Sequence, residues 1–288
     1  MRGHQVATIA RGAHLEAIAQ NGLILDAPSG KFTVHPWIAT DDPKNVGEVD
    51  AVIFGVKGDD LETAAEACLP LLGSETVVVP FLNGVEASDR LTKIIPYQNV
   101  ANVMAQVTTT ISSPGVITQT GEFNQFVFAE RDSQPSERIA ALQEALTDAG
   151  VSAPATDDIE HDLWSKFVLF SAVSGVTAAG RCTIADITST PELGALFRNV
   201  MGETAALGRA RGVALGDDIE TKTWERAQTL PPNMRASTAI DLENGRPLEI
   251  EWVSGAVARL SEKAGLDVPI NKVIYALLLP HKAGSKRH

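Results

Sequence analysis

Short apolar runs alternate with segments of helical periodicity through the first half of the chain. Ala51–Val56 and Thr76–Phe81 are continuous apolar runs, which is typical of strands that are buried on both faces. The other predicted strands are Gln5–Ile9, a hairpin over Gly22–Pro36 that turns at Pro28-Ser29-Gly30, Val100–Thr108, Gly115–Thr120 and Phe123–Ala129. The predicted helices are Ala13–Gln20, Asp60–Leu72, Glu86–Ile94 and Ser136–Ala149. This alternation predicts a mostly parallel sheet covered by helices.

Helical periodicity replaces the strand-like runs near residue 155. The segments that carry it are Glu160–Val176, Pro191–Arg211, Asp217–Thr229, Arg235–Gly245, Arg246–Ala264 and Ile270–Leu279. We therefore expect the α/β fold class, with a sheet-containing domain over residues 1–155 and an all-helical domain over residues 156–288.

The charge of the chain narrows its possible partners. The 288 residues include 24 Lys and Arg against 36 Asp and Glu, a formal net charge of −12 at pH 7. Such a charge argues against nucleic acid as a partner, because phosphate binding needs a basic face. The apolar runs fall short of the roughly 18 residues of a membrane span, and the first residues do not resemble a secretion leader. We expect a cytoplasmic protein whose partner is a small molecule.

The cysteine content argues against two other kinds of site. Cys68 and Cys182 are too few to build a disulfide framework or a zinc site. Each is expected to fill space in the core. The sequence therefore gives no reason to expect a metal.

The beginning of the chain departs from the usual nucleotide-binding pattern. A doubly wound, Rossmann-like domain normally opens with a strand and a glycine-rich turn, but this sequence contains no G-x-G-x-x-G motif. Judged against a βαβ unit of roughly 30 residues, the chain begins about one strand and one helix late. We expect either a Rossmann-like domain that is truncated at its start or a protein without the turn that binds a pyrophosphate.

Three polar residues follow predicted strands, at the carboxyl ends where parallel sheets bind their ligands. Arg11 stands where nucleotide-binding folds face the adenine ribose, and an Arg there accommodates the 2′-phosphate of NADP. Lys57 ends the run Ala51–Val56, and Asn83 follows Thr76–Phe81. The alternatives are solvated side chains for Arg11 and Lys57, and an ordinary Asn-Gly turn at Asn83.

Lys166 is the residue whose setting most suggests chemistry. It lies within the apolar segment Leu163–Phe170 of a predicted helix, where a lysine either extends to water or sits in a partly desolvated cleft. Desolvation lowers the pKa of an ammonium group, which suits a general acid near neutral pH. Glu249, in the first turn of a predicted helix, is either functional or a partner of the helix dipole. Ser237 is either functional or an N-cap.

Several short motifs occur in a recognisable order. They are Gly3-His4-Gln5-Val6 leading to Ile9-Ala10-Arg11-Gly12, Gly55-Val56-Lys57, Leu82-Asn83-Gly84-Val85, Pro114-Gly115-Val116, Leu163-Trp164-Ser165-Lys166-Phe167, Ser237-Thr238 ahead of Asp241-Leu242-Glu243, and Pro247-Leu248-Glu249-Ile250. From Gly3 to about Leu279 this order resembles the ketopantoate reductase (2-dehydropantoate 2-reductase) family. The Leu163–Phe167 and Pro247–Ile250 motifs argue against another two-domain dehydrogenase, such as a 3-hydroxyacid or glycerol-phosphate enzyme.

The resemblance implies an NADP-dependent oxidoreductase that reduces 2-dehydropantoate to pantoate in pantothenate biosynthesis. It implies that Lys166 is the catalytic acid, and that Glu249 binds the hydroxyl side of the substrate and holds this lysine. The residues it implies for NADPH are Arg11, Lys57 and Asn83, and those for the 2-oxo acid substrate are Asn83, Ser174, Ser237 and Glu249. Analogy with the fold also suggests a homodimer through the helical domain.

Two positions depart from the family pattern. Family members usually carry Asn one and two helical turns after the catalytic lysine, whereas this sequence has Phe170 and Ser174. Because the loss of hydrogen-bond partners can shift specificity by orders of magnitude, a bulkier or more apolar 2-oxo acid is an alternative substrate. The absent glycine-rich turn leaves a second alternative, a non-catalytic relic of the family that acts as a binding or dimeric protein.

Overall fold

The computed structural model describes residues 3–285, except for the side chain of Glu122. Its strands are β1 Ala7–Ile9, β2 Leu23–Ala27, β3 Gly30–Val34, β4 Ile38–Thr40, β5 Val49–Phe54, β6 Leu72–Pro80, β7 Asn102–Ser113 and β8 Val116–Ala129. Its α-helices are α1 Gly12–Asn21, α2 Leu61–Cys68, α3 Ala87–Leu91, α4 Glu137–Asp148, α5 Ile159–Ala179, α6 Ile184–Ser189, α7 Pro191–Ala210, α8 Ile219–Gln228, α9 Ser237–Glu243, α10 Ser254–Lys263 and α11 Pro269–Leu278.

The described chain forms two compact units. The first unit holds Asp60–Leu82, Ser88–Ile159 and the described residues up to Val56. The second unit holds Lys57–Asp59, Asn83–Ala87 and the described residues from Glu160 onward. Two short loops that follow β5 and β6 in the sequence therefore belong to the helical second unit.

Parallel pairing dominates the strands of the first unit. β1 pairs with β4, β5 with β6, and β2 with β8, all in parallel. Antiparallel pairing joins β2 to β3 and β7 to β8, so that one sheet has the order β3-β2-β8-β7. The hairpin predicted over Gly22–Pro36 is present as β2 and β3. The predicted α/β class, a mostly parallel sheet region followed by helices, is confirmed.

The core of the first unit forms around β6, β7, β8 and α4. Its buried members are Val77, Val79, Ala101, Val103, Ala105, Phe128, Ile139 and Ala153. The run predicted as a strand at β6 is buried on both faces, as its apolar sequence requires. β5 behaves differently: Val52 and Phe54 are buried, but Ile53 between them is 45% exposed. An apolar run shows that burial is favourable, but it does not show that a second layer covers both faces.

The helices of the second unit pack around the apolar α5. Trp164 and Phe167 of this helix are fully buried and meet edge to face, with ring centroids 5.7 Å apart. A Cβ on Gly175 would lie 3.0 Å from the side chain of Ile274, so this glycine lets α5 and α11 approach closely. The carboxylate of Glu203 on α7 accepts hydrogen bonds from the first backbone N–H groups of α11, which fixes the start of that helix.

Several element boundaries differ from the sequence predictions. The helix predicted over Arg246–Ala264 is wrong as a single element: a 3-10 turn over Ile250–Trp252 precedes α10, and Val253 between them has the non-helical angles φ −118° and ψ −99°. The strands predicted separately at 115–120 and 123–129 form the single strand β8. The short elements β4 and α6 were not predicted, because three to six residues give too little periodicity to recognise.

The two cysteines are buried free thiols. Burial raises the pKa of both, which keeps them protonated and unreactive. Among the described residues, every helix is too short or too polar to cross a bilayer.

Candidate functional site

Lys166 lies near the middle of α5 and points its ammonium group at a loop of the same unit. Its Nζ donates a hydrogen bond to Oδ1 of Asn83, at 3.1 Å. Desolvation by burial lowers the pKa of the Lys166 ammonium to about 8. Two residues that are 83 positions apart in the sequence are thus brought together. The pair can hold a proton and release it close to neutral pH.

The helical turns after Lys166 carry Phe170 and Ser174. The ring centroid of Phe170 lies 5.2 Å from Nζ of Lys166, within the range of a cation–π interaction. Ser174 is only 1% exposed, and its hydroxyl is 2.7 Å from the hydroxyl of Thr238. The expected contact between Ser174 and a substrate is therefore not supported by this geometry, because the hydroxyl is enclosed and already has a partner.

Glu249 contacts the loop that follows β5. Its Oε2 lies 3.3 Å from Nζ of Lys57, and its Oε1 accepts a hydrogen bond from the backbone N–H of Gly58, also at 3.3 Å. The ion-pair partner of Glu249 is thus Lys57, where the family resemblance led us to expect Lys166. Glu249 also precedes a 3-10 turn and does not lie in the first turn of a long helix, so the helix-dipole interpretation is wrong.

Trp252 supports both loops and was not found by the sequence analysis. A Cβ on Gly58 would overlap the indole ring of Trp252, and a Cβ on Gly84 would lie 2.6 Å from the carbonyl oxygen of Trp252. The indole N–H also donates to Oδ1 of Asp59, at 3.4 Å. The sequence signal was limited to one glycine beside each of Lys57 and Asn83, and nothing linked these glycines to a distant tryptophan.

An ion pair holds the second loop to α10. Nη2 of Arg259 lies 2.6 Å from Oε2 of Glu86, whose side chain is 10% exposed. Arg259 also donates to the backbone carbonyl of Glu251 at 3.1 Å, so the guanidinium joins three chain segments. The loop that carries Asn83 is thereby fixed at both of its ends, through Gly84 and through Glu86.

Ser237 and Arg11 each stand at the start of a helix. Ser237 is exposed and is the first residue of α9, while Ala236 occupies the N-cap position, so the N-cap interpretation of Ser237 is wrong. Arg11 belongs to the first unit, where it occupies the N-cap position of α1 with its side chain exposed. A guanidinium beside backbone N–H groups at a helix start is a donor set that suits a phosphate.

Two family profiles match most of the chain. Residues 1–133 match the profile described as "Ketopantoate reductase PanE/ApbA", and residues 158–282 match "Ketopantoate reductase PanE/ApbA C terminal". A protein of Mesorhizobium japonicum named 2-dehydropantoate 2-reductase is 30% identical over 293 residues, which cover 94% of this chain and 88% of that protein. A protein of Archaeoglobus fulgidus with the same name is 27% identical over 288 residues, covering 99% and 92%.

The fold is similar to that of solved structures. The PanE/ApbA family ketopantoate reductase of Ralstonia eutropha JMP134 is 32% identical, with a TM-score of 0.85 over 97% of this chain and 91% of that one. The similarity thus spans the sheet-containing and the helical parts of the chain.

Gly58→Ala tests the contact between the first loop and Trp252. We expect the added methyl group to force the loop or the indole to move, lowering the free energy of unfolding by about 1–3 kcal/mol. The measurement is urea unfolding followed by circular dichroism. Gly55→Ala is the matched control, because a Cβ at that position meets only open space. Equal stability of the two variants would contradict the packing described for Gly58.

Proposed function

The chain belongs to the ketopantoate reductase family of oxidoreductases, and we propose that it reduces a 2-oxo acid to the 2-hydroxy acid with NADPH. 2-Dehydropantoate, which would place the enzyme in pantothenate biosynthesis, is the substrate that the names of its relatives suggest. The observation that carries the proposal is the desolvated ammonium of Lys166, held by Asn83, with a pKa of about 8.

The residues at the start of α1 fit a phosphorylated nucleotide. Arg11 supplies a guanidinium for the 2′-phosphate that distinguishes NADPH from NADH, and the backbone N–H groups of α1 add further donors. Lys57 is 66% exposed at its side chain, and its positive charge suits an anionic group of a ligand. When bound, NADPH supplies the hydride, and the protein supplies placement and charge.

Lys166 provides the proton in this proposal. As the carbonyl carbon of the substrate is reduced, negative charge develops on its oxygen, and a nearby ammonium stabilises that charge before it donates its proton. Asn83 accepts a hydrogen bond from Nζ and so fixes the direction in which the remaining protons point. Since burial disfavours the charged form of Lys166, proton transfer also relieves a desolvation cost.

The remaining residues bind and orient the substrate in this proposal. Ser237 offers an exposed hydroxyl to the substrate carboxylate. Glu249 offers a carboxylate to a hydroxyl group, and its ion pair with Lys57 fixes the position of that carboxylate. Glu249 thus orders the loop of Lys57, while the proton comes from Lys166.

Lys166→Met tests the acid. We expect kcat to fall by about 10²- to 10⁴-fold with a smaller change in KM, because the interaction is made in the transition state. The measurement is the loss of NADPH absorbance with a 2-oxo acid. In the unmodified enzyme, kcat/KM for reduction should fall above a pH of about 8, as Lys166 loses its proton, whereas oxidation of the 2-hydroxy acid should rise through the same pH.

Lys263→Met is the control for the loss of a lysine, since that side chain is exposed on α10. Turnover that survives in Lys166→Met would exclude this lysine as the acid. An unmodified chain that reduces none of the 2-oxo acids would favour the non-catalytic alternative.

Arg11→Ala tests the choice of cofactor. We expect the ratio of kcat/KM with NADPH to that with NADH to fall at least about tenfold, because a charge-assisted contact to the 2′-phosphate is lost. The measurement is the steady-state rate with each cofactor at a saturating concentration of substrate. Arg226→Ala, at an exposed position of α8, is the control. An unchanged ratio would show that Arg11 is merely solvated.

We also propose that the chain forms a dimer through its helical unit. α11 exposes Val273 and Leu277, at 56% and 59%, and Leu279 follows them at 43%. An apolar stripe on a helix of this kind suits a two-fold interface with a second copy. We expect sedimentation velocity to show a dimer that Leu277→Glu converts to a monomer and that Lys263→Glu leaves intact. A monomeric unmodified chain would refute the dimer.

A further inference from the structure

The phenyl ring of Phe170 lies beside the group that is proposed to donate the proton. Phe170 follows Lys166 by four residues on α5, so the two side chains share one face of the helix. The ring centroid is 5.2 Å from Nζ, and the same Nζ is 3.1 Å from Oδ1 of Asn83. Phe170 is half-buried, so part of this residue stays accessible.

One turn further along the same helix face, Ser174 does not offer its hydroxyl to a ligand. Ser174 is 1% exposed, and its Oγ is 2.7 Å from Oγ1 of Thr238, which is itself buried. A hydroxyl that is enclosed in this way is out of reach of a ligand outside the core. Beyond Lys166, the surface that α5 presents to a substrate at these two positions is therefore the ring of Phe170.

We propose that Phe170 makes this chain selective for 2-oxo acids whose carbon chain is apolar, branched or aromatic, over those that carry a hydroxyl on that chain. This inference rests on the proposed reduction of a 2-oxo acid and names the substrate class. An apolar substituent leaves water when it packs on the ring, which is favourable. A hydroxyl in the same place gives up its hydrogen bonds to water and gains none from a phenyl ring.

The reaction is the same for either class of substrate. The carbonyl carbon gains a hydride, its oxygen gains the proton held on Nζ of Lys166, and the products are the 2-hydroxy acid and NADP⁺. Phe170 takes no part in these transfers. Its contribution is the shape and polarity of the surface that touches the rest of the substrate, so its effect must appear as a ratio between substrates.

The test compares two substrates that differ by one hydroxyl group. Trimethylpyruvate is 2-dehydropantoate without its hydroxyl, and phenylglyoxylate adds an aromatic member to the set. We expect kcat/KM with NADPH for trimethylpyruvate to exceed that for 2-dehydropantoate at least about tenfold in the unmodified chain. Phe170→Asn should lower this ratio at least about tenfold while reduction continues. Phe170→Leu should keep the preference for trimethylpyruvate but reduce phenylglyoxylate less efficiently.

Phe32→Asn is the matched control, because it places the same change at an exposed position of β3 and should leave the ratio unaltered. A preference of the unmodified chain for 2-dehydropantoate would overturn the inference and leave the proposed function intact. An unchanged ratio in a folded Phe170→Asn variant would do the same. Failure of the unmodified chain to reduce any of the three acids would overturn the inference together with the proposed function. If Phe170→Asn does not fold, the comparison of trimethylpyruvate with 2-dehydropantoate on the unmodified chain still tests the inference.

Discussion

The interaction on which the rest of the site depends is a desolvated lysine ammonium, that of Lys166, with the amide oxygen of Asn83 at 3.1 Å. Taking a charge out of water is costly, and a hydrogen bond to a neutral acceptor such as Asn83 offsets only part of that cost. The pKa of Lys166 falls to about 8 for this reason. A carboxylate in the place of Asn83 would favour the charged form and raise that pKa again.

The arrangement of the acidic groups is consistent with this requirement. Glu249, the carboxylate expected to hold the catalytic lysine, instead pairs with Lys57 and accepts a backbone hydrogen bond from Gly58. Glu249 therefore stabilises the exposed positive charge of Lys57. Trp252 fixes the same loop and the loop of Asn83, through close approaches that only glycine permits at positions 58 and 84. The position of Asn83 beside Lys166 thus depends on the packing of Trp252, which takes no part in the proposed reaction.

Much of the fold could be predicted because local sequence patterns indicate its strands and helices. The apolar run at β6 and the helical period of α5 reflect burial, and the hairpin of β2 and β3 follows from its turn residues, so that a short stretch of sequence determines each of them. Local patterns also singled out Lys166, because it lies among apolar neighbours, and Asn83, because it follows a predicted strand. That these two side chains meet could only be learned from the structure.

The errors lie where distant parts of the chain decide the outcome. The segment after Arg246 has a helical pattern, yet the angles at Val253 break it ahead of α10. The family resemblance implied that Ser174 contacts the substrate, but its hydroxyl is enclosed against that of Thr238, which is 64 positions away. Ile53 belongs to an apolar run and is still exposed, because the covering of a sheet face is a property of other elements. Tertiary contacts determine each of these features, and the local sequence does not reveal such contacts.

The most direct measurement is a pH titration of the Lys166 amine itself, monitored by NMR on protein whose lysines carry ¹³C-dimethyl groups. Lys166→Arg identifies the resonance by removing it. The account predicts a midpoint at a pH of about 8 for this amine, about two units below the ordinary value of a lysine. A midpoint for Lys166 near the ordinary value of about 10.5 would show that the ammonium is fully hydrated, and would contradict the account.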